Sequence, residues 1–136
     1  MLKHLLTRTL IAVATLLIIA LIHGFRLGTF LEEEARILYY SYASDIIIPF
    51  GVYFLLCMNE IQIKIFKPWY IKALIVFGLA TFSEILQLFD IYFLGKTFDV
   101  FDILAYTLGI LIAVFIDRIV YNKYIPNWNY KKTLSN

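Results

Sequence analysis

The chain has 136 residues, of which 62% are hydrophobic and 16% charged, and its formal net charge is only +2. Soluble proteins average about 45–50% apolar and about 25% charged residues, so this composition is typical of an integral membrane protein. The small net charge, without a basic stripe carrying interleaved aromatics, excludes nucleic acid as a partner. The single cysteine, Cys57, excludes an intrachain disulfide and a cysteine-rich metal site.

Four apolar stretches predict one all-α membrane domain over residues 1–136, with transmembrane helices at about 5–22, 39–58, 69–89 and 100–121. Each stretch approaches the ~20 apolar residues that cross ~30 Å of hydrocarbon. The first follows Lys3 and Arg8 as a secretory signal does, but no small-x-small cleavage site ends it, so we expect a retained helix. The second contains Asp45 and then Pro49, a pattern that predicts a helix kink.

The basic residues predict the orientation of the helices. Nine of the twelve lie in the N-terminal segment, the second loop and the C-terminal tail, so both termini are expected in the cytoplasm. The outer ends of the helices then carry most of the polar groups, and the inner ends are expected to hold little beyond lysines and aromatics. The tail aromatics are expected at the level of the lipid headgroups: Tyr121, Tyr124, Trp128 and Tyr130.

Carboxylates lie inside the apolar stretches at helical spacing. An ionised group in hydrocarbon costs roughly 2.5–3.5 kcal/mol on insertion scales, so these residues indicate a function or a compensating partner. Glu84 and Gln87 are neighbours on the third helix. One face of the fourth helix is formed by Asp99, Asp102, Tyr106 and Gly109. On that face, Gly109 would let a neighbouring helix approach closely.

The candidate ligand-binding residues share the predicted outer rim: Glu84, Gln87, Lys96, Asp99, Asp102, Asp45 and Arg26. Two interpretations stay open, a structural salt-bridge cluster and a ligand-binding or catalytic cluster. Asp99 alone is also explained as the N-cap of the fourth helix. Glu84 needs Lys96, Arg26 or a proton as its partner. Arg26 itself could pair with a phosphate or with the run Glu32-Glu33-Glu34, which we interpret as a solvated helix start.

The run Ser83-Glu84-x-x-Gln87, followed by Gly95-Lys96-x-x-Asp99-x-x-Asp102 and by Gly109, resembles the signature of the VanZ-like family. These are small integral membrane proteins of the bacterial envelope. The chain departs from the pattern at Lys96, where the family usually has arginine, and at Tyr106, where asparagine is usual. The second helix also lacks the family's lysine and histidine after its aspartate. The resemblance implies a multi-pass protein of the bacterial cell membrane. Some members are associated with resistance to glycopeptide antibiotics, and no reaction is established for the family.

These observations favour a binding protein whose outward-facing site engages a membrane lipid headgroup or a cell-wall precursor. Lys96 and Arg26 would meet phosphate, and the carboxylates would take hydroxyls, amines or a divalent cation. One alternative is an enzyme with Glu84 or Asp102 as general base, although no catalytic residue is assigned. The other is a structural subunit that pairs with a membrane-protein partner or with a second copy of the chain. We expect no cofactor and no resident metal.

Overall fold

The computed structural model of the chain describes residues 2–87, 89 and 99–128. This part is built from four long helices: α1 (Leu2–Gly24), α2 (Glu33–Asn59), α3 (Trp69–Gln87) and α4 (Val100–Phe115). Short 3₁₀ helices lie in the first two connections, at Leu27–Phe30 and Lys64–Phe66, and α4 continues through a π-helical turn (Ile116–Tyr121) to Asn122–Tyr124. The described residues form no strand. The helices α1, α2 and α3, and the continuous helical stretch Val100–Tyr124 that begins with α4, are long and apolar enough to span a membrane, which confirms the predicted all-α polytopic fold.

The helix ends follow local chemistry. α2 begins at Glu33, earlier than the hydropathy predicted, with Glu33 and Glu34 in its first turn. Acidic side chains are favoured there by the positive end of the helix dipole, and both are exposed, which confirms the run as a solvated helix start. Beyond Asp45, α2 continues past the buried Pro49 to Asn59. Because proline lacks an N–H, the carbonyl of Asp45 loses its usual helical donor.

α2 is the central helix and packs against α1, α3 and α4. It approaches α4 closely at Gly109, where an added Cβ would lie 2.1 Å from the carbonyl oxygen of Ile46. No side chain fits there, so the prediction that Gly109 permits a close helix approach is confirmed. The hydrophobic core is formed by Tyr53, Phe54, Cys57, Val76, Ile110, Ala113 and Trp128.

The outward faces of the helices are strongly apolar. On α4, for example, exposed side chains follow one another at helical spacing: Val100, Leu104, Leu108, Leu111 and Phe115. A water-soluble monomer rarely exposes an apolar face of this extent, whereas lipid tails solvate it without cost. The side-chain pattern therefore agrees with helix length in describing a bundle surrounded by hydrocarbon.

Candidate functional site

The acid cluster, formed by Asp45, Glu84, Gln87, Asp102 and Tyr106, joins three helices near one end of the bundle. α2 supplies Asp45, the last turn of α3 supplies Glu84 and Gln87, and α4 supplies Asp102 and Tyr106. Glu84 is only 1% exposed. Its Oε1 accepts hydrogen bonds from the Tyr106 hydroxyl and from Gln87 Nε2, the latter at 2.9 Å. The sequence-predicted neighbours on α3 are thus in direct contact, and α4 is bound to them.

Negative charge is concentrated beside Glu84. The carboxyl groups of Asp45 and Asp102 lie close enough to interact with each other, and both also interact with Glu84. Asp45 and Asp102 are partly exposed, whereas Glu84 is buried. Neighbouring carboxylates repel one another when they are ionised, so the arrangement favours an added proton, a cation or a hydrogen-bond donor.

Buried polar atoms around the cluster lack partners among the described residues. They include Ser83 Oγ, Glu84 Oε2 and Gln87 Oε1. A buried acceptor left without a donor costs roughly 1–3 kcal/mol, so these three atoms mark a place where a donor group from outside would be stabilised.

The remaining predicted site residues are placed as follows. Asp99 is the N-cap of α4, and its Oδ1 accepts from the Phe101 N–H at 2.9 Å, which confirms the capping role. Arg26 lies exposed in the first connection in a left-handed conformation (φ 48°), and among the described residues its side chain forms no ion pair. Lys96 lies outside the described residues.

The partners that the structure gives Glu84 are therefore Tyr106 and Gln87. Tyr106 was predicted only as a same-face neighbour.

A cavity of about 460 Å³ opens between α2 and α3 beside the acid cluster. Asp45, Ser83 and Tyr106 line one end of it, and Val52 and Val76 lie toward the other. The remaining lining is apolar. One of the unpartnered atoms, Ser83 Oγ, therefore belongs to a residue of the cavity wall.

A second polar cluster at the opposite end of the bundle was missed in the sequence. The ion-pair network consists of Arg8, Glu60, Lys72 and Asp117, which come from or flank all four long helices. Glu60 Oε2 accepts from Arg8 Nη1 at 2.7 Å and from Lys72 Nζ at 2.8 Å. Lys72 Nζ also lies 3.4 Å from Asp117 Oδ2. The expectation that this end holds little beyond lysines and aromatics is wrong.

Hydrogen bonds complete the network. Asp117, in the π-helical turn, accepts from Tyr53 Oη at 2.7 Å and from Trp128 Nε1 at 2.8 Å. Arg8 donates to the carbonyl oxygens of Cys57 and Trp128, at 2.9 and 2.7 Å. Trp128 is 1% exposed, so its predicted position among the lipid headgroups is wrong. The chain turns back after α4 because the indole finds both an apolar pocket and an acceptor there.

The two clusters differ in their balance of charges and partners. The ion-pair network has two cations and two anions, and its carboxylates accept bonds from several donors. The described part of the acid cluster contains carboxyl groups without a base in contact, together with buried atoms that lack donors. The ion-pair network therefore has its charges compensated within the fold, whereas the acid cluster keeps buried polar atoms that no described residue compensates.

The fold and the site together define a four-helix polytopic membrane protein with a buried acid cluster beside an apolar cavity. No family model, curated protein or solved structure matches this chain. Within the described residues, no three His, Cys, Asp or Glu side chains converge so as to hold a metal ion.

Proposed function

We propose that the chain is a cell-envelope protein of VanZ-like type in the cytoplasmic membrane of a bacterium, with both termini inside. The acid cluster then faces outward and binds the head of a membrane amphiphile, either a lipid or a lipid-linked cell-wall precursor. The observation that carries this proposal is the buried Glu84, whose Oε2 has no partner among the described residues.

The chemistry of the cluster selects the kind of head that it would bind. Carboxyl and amide oxygens accept hydrogen bonds, so hydroxyl and amine groups are the best complements of Glu84, Gln87 and Asp102. A phosphate would be repelled by the acids and needs a cation nearby. The basic residues closest in sequence to that end of the bundle are Arg26, in the connection before α2, Arg36, near the start of α2, and Lys96, just before α4.

Glu84→Gln is expected to release the bound amphiphile. The substitution keeps the shape and one acceptor for Tyr106 but removes the charge that holds a donor-bearing head, and charge-assisted hydrogen bonds contribute about 1.5–3 kcal/mol each. Affinity should therefore fall by roughly tenfold or more. The measurement is lipid analysis by native mass spectrometry of protein extracted gently from the bacterial membrane.

Glu34→Gln is the matched control. Glu34 is an exposed acid in the first turn of α2, so its substitution removes the same charge at a position away from the cluster. It should retain the lipid seen with the unaltered protein. Equal retention by Glu84→Gln at equal membrane abundance would exclude a role of the acid cluster in head binding.

Cysteine labelling on intact cells tests the orientation. Glu34, in the first turn of α2, and Lys64, after its end, are both exposed, so they lie at opposite ends of the bundle. A membrane-impermeant maleimide is expected to label Glu34→Cys and to spare Lys64→Cys until the cells are permeabilised. The native Cys57 is fully buried and should give no background. Labelling of Lys64→Cys alone would place the acid cluster on the cytoplasmic side.

A further inference from the structure

The cavity between α2 and α3 has the size of a small-molecule site. Its volume of about 460 Å³ lies within the range of roughly 300–1,000 Å³ that is usual for such pockets. Along most of its length the wall is hydrocarbon, from residues such as Ile48, Val52, Val76 and Ala80. A polar solute would lose its hydration in this part without replacement, so the body of the occupant must be apolar.

The cavity is directional. On α2 it runs from Asp45 to Val52 and on α3 from Leu86 to Val76, which at 1.5 Å per residue is a length of about 10–15 Å. One leaflet contributes about half of the ~30 Å hydrocarbon core. The cavity is therefore long enough to hold most of one lipid acyl chain from that leaflet. All its polar groups (Asp45, Ser83 and Tyr106) lie toward one end.

The cavity also opens toward the lipid. Leu79 and Phe82 line its edge and are 59% and 58% exposed, on the outer face of α3. A molecule already dissolved in the bilayer can therefore enter sideways between α2 and α3.

We propose that this cavity holds one acyl chain of a membrane amphiphile, whose hydroxyl- or amine-bearing head lies at Ser83 and the acid cluster. Ser83 Oγ is the connecting contact, because it is buried in the cavity wall and lacks a partner among the described residues. The proposal rests on the proposed function for the position of the head, while the position of the chain is tested separately.

Photo-crosslinking in vesicles provides the test. The full-length protein is reconstituted with phosphatidylethanolamine that carries a diazirine in one acyl chain, and the crosslinked residues are mapped by mass spectrometry. Crosslinks are expected at Val52, Val76 and Ala80. Ala80→Phe fills the cavity and should reduce them by roughly tenfold or more, since overpacking excludes a chain. Gly78→Phe adds the same ring to the exposed side of α3, where a Cβ meets no atom within 4 Å, and should leave the crosslinks unchanged.

Each result separates the chain from the head. Crosslinks spread evenly over the exposed faces, or unaffected by Ala80→Phe and the milder Ala80→Leu, would overturn the chain site. Phosphatidylcholine with the same diazirine has no donor in its head and is expected to label the cavity less. Equal labelling by both lipids would support the chain site and overturn the head site. Loss of lipid from Glu84→Gln without any cavity crosslinks would support the head site alone.

Discussion

Asp117→Ala is expected to lower the free energy of unfolding by about 3–5 kcal/mol, the cost of removing one partner from a buried ion pair. Asp117 is 4% exposed and accepts from Lys72, Tyr53 and Trp128. After the substitution, Lys72 and Arg8 share the single carboxylate of Glu60, so one positive charge remains buried without compensation. The measurement is the free energy of reversible unfolding in bicelles, obtained by steric trapping or by titration with a denaturing detergent.

Two further variants test the cause of this loss. Asp117→Asn keeps an acceptor for one donor but removes the charge. Comparing its free-energy loss with that of Asp117→Ala separates the contribution of the ion pair from that of the hydrogen bonds. Adding Lys72→Met to Asp117→Ala removes the uncompensated cation and should recover part of the loss, with a coupling energy of about 0.5–3 kcal/mol. Glu34→Ala, on the exposed start of α2, should stay within about 0.5 kcal/mol of the unaltered protein. A loss as small as that of Glu34→Ala would mean that the network does not stabilise the fold.

Local features of the fold could be predicted from the sequence. The four spans follow from runs of apolar residues, because about 20 of them make a helix that is long enough to cross the hydrocarbon core. The cap at Asp99 and the contact between Glu84 and Gln87 depend on neighbours within one helical turn. The close helix approach at Gly109 could be predicted for the same reason, because Gly109 shares a face with Tyr106 at a spacing of three residues. In each case the information lies within one helix.

The ion-pair network could not be predicted in this way because its contacts join distant segments. Arg8 and Trp128 are separated by 120 residues, and Arg8 and Glu60 by 52. Arg8 and Lys72 also resembled the basic residues that normally set orientation, so their charge already had an explanation. One signal was present: Asp117 lies inside the fourth apolar stretch, where an ionised group is as costly as it is at Asp102. That cost required a buried cation, and only the fold identifies it as Lys72.

Residues 122–128 act as a strap across the end of the bundle. Asn127 adopts a left-handed conformation with φ 66°, which asparagine tolerates better than most residues, and this turn directs Trp128 inward. The carbonyl of Asn127 is 2.6 Å from His4 Nδ1, and the carbonyl of Trp128 accepts from Arg8. The strap therefore connects the first and last helices, and its side chain and backbone contribute separately.

Trp128→Ala is accordingly expected to lower the free energy of unfolding by about 3–5 kcal/mol, as is typical when a buried tryptophan is truncated. It leaves a cavity against Phe54 and Tyr121, whose rings lie 6.3 and 4.8 Å from the indole, and it removes a donor from Asp117. Trp128→Phe retains most of the packing, so its smaller loss of about 1–3 kcal/mol measures the acceptor left unpaired on Asp117.

Tyr124→Ala provides the control for this series, because Tyr124 is an aromatic residue of the same segment with 67% of its surface exposed. Its loss should remain within about 0.5 kcal/mol in the same unfolding measurement. If Asp117→Asn is already present, Trp128→Phe should cost less than it does alone, since the indole then donates to a neutral amide oxygen rather than to a carboxylate. Equal losses from Trp128→Ala and Tyr124→Ala would instead place the indole at the membrane surface, where the sequence alone had predicted it. A full loss from Trp128→Ala with none from Trp128→Phe would assign the strap's contribution to packing, and the Asp117 bond would then serve only to orient the ring.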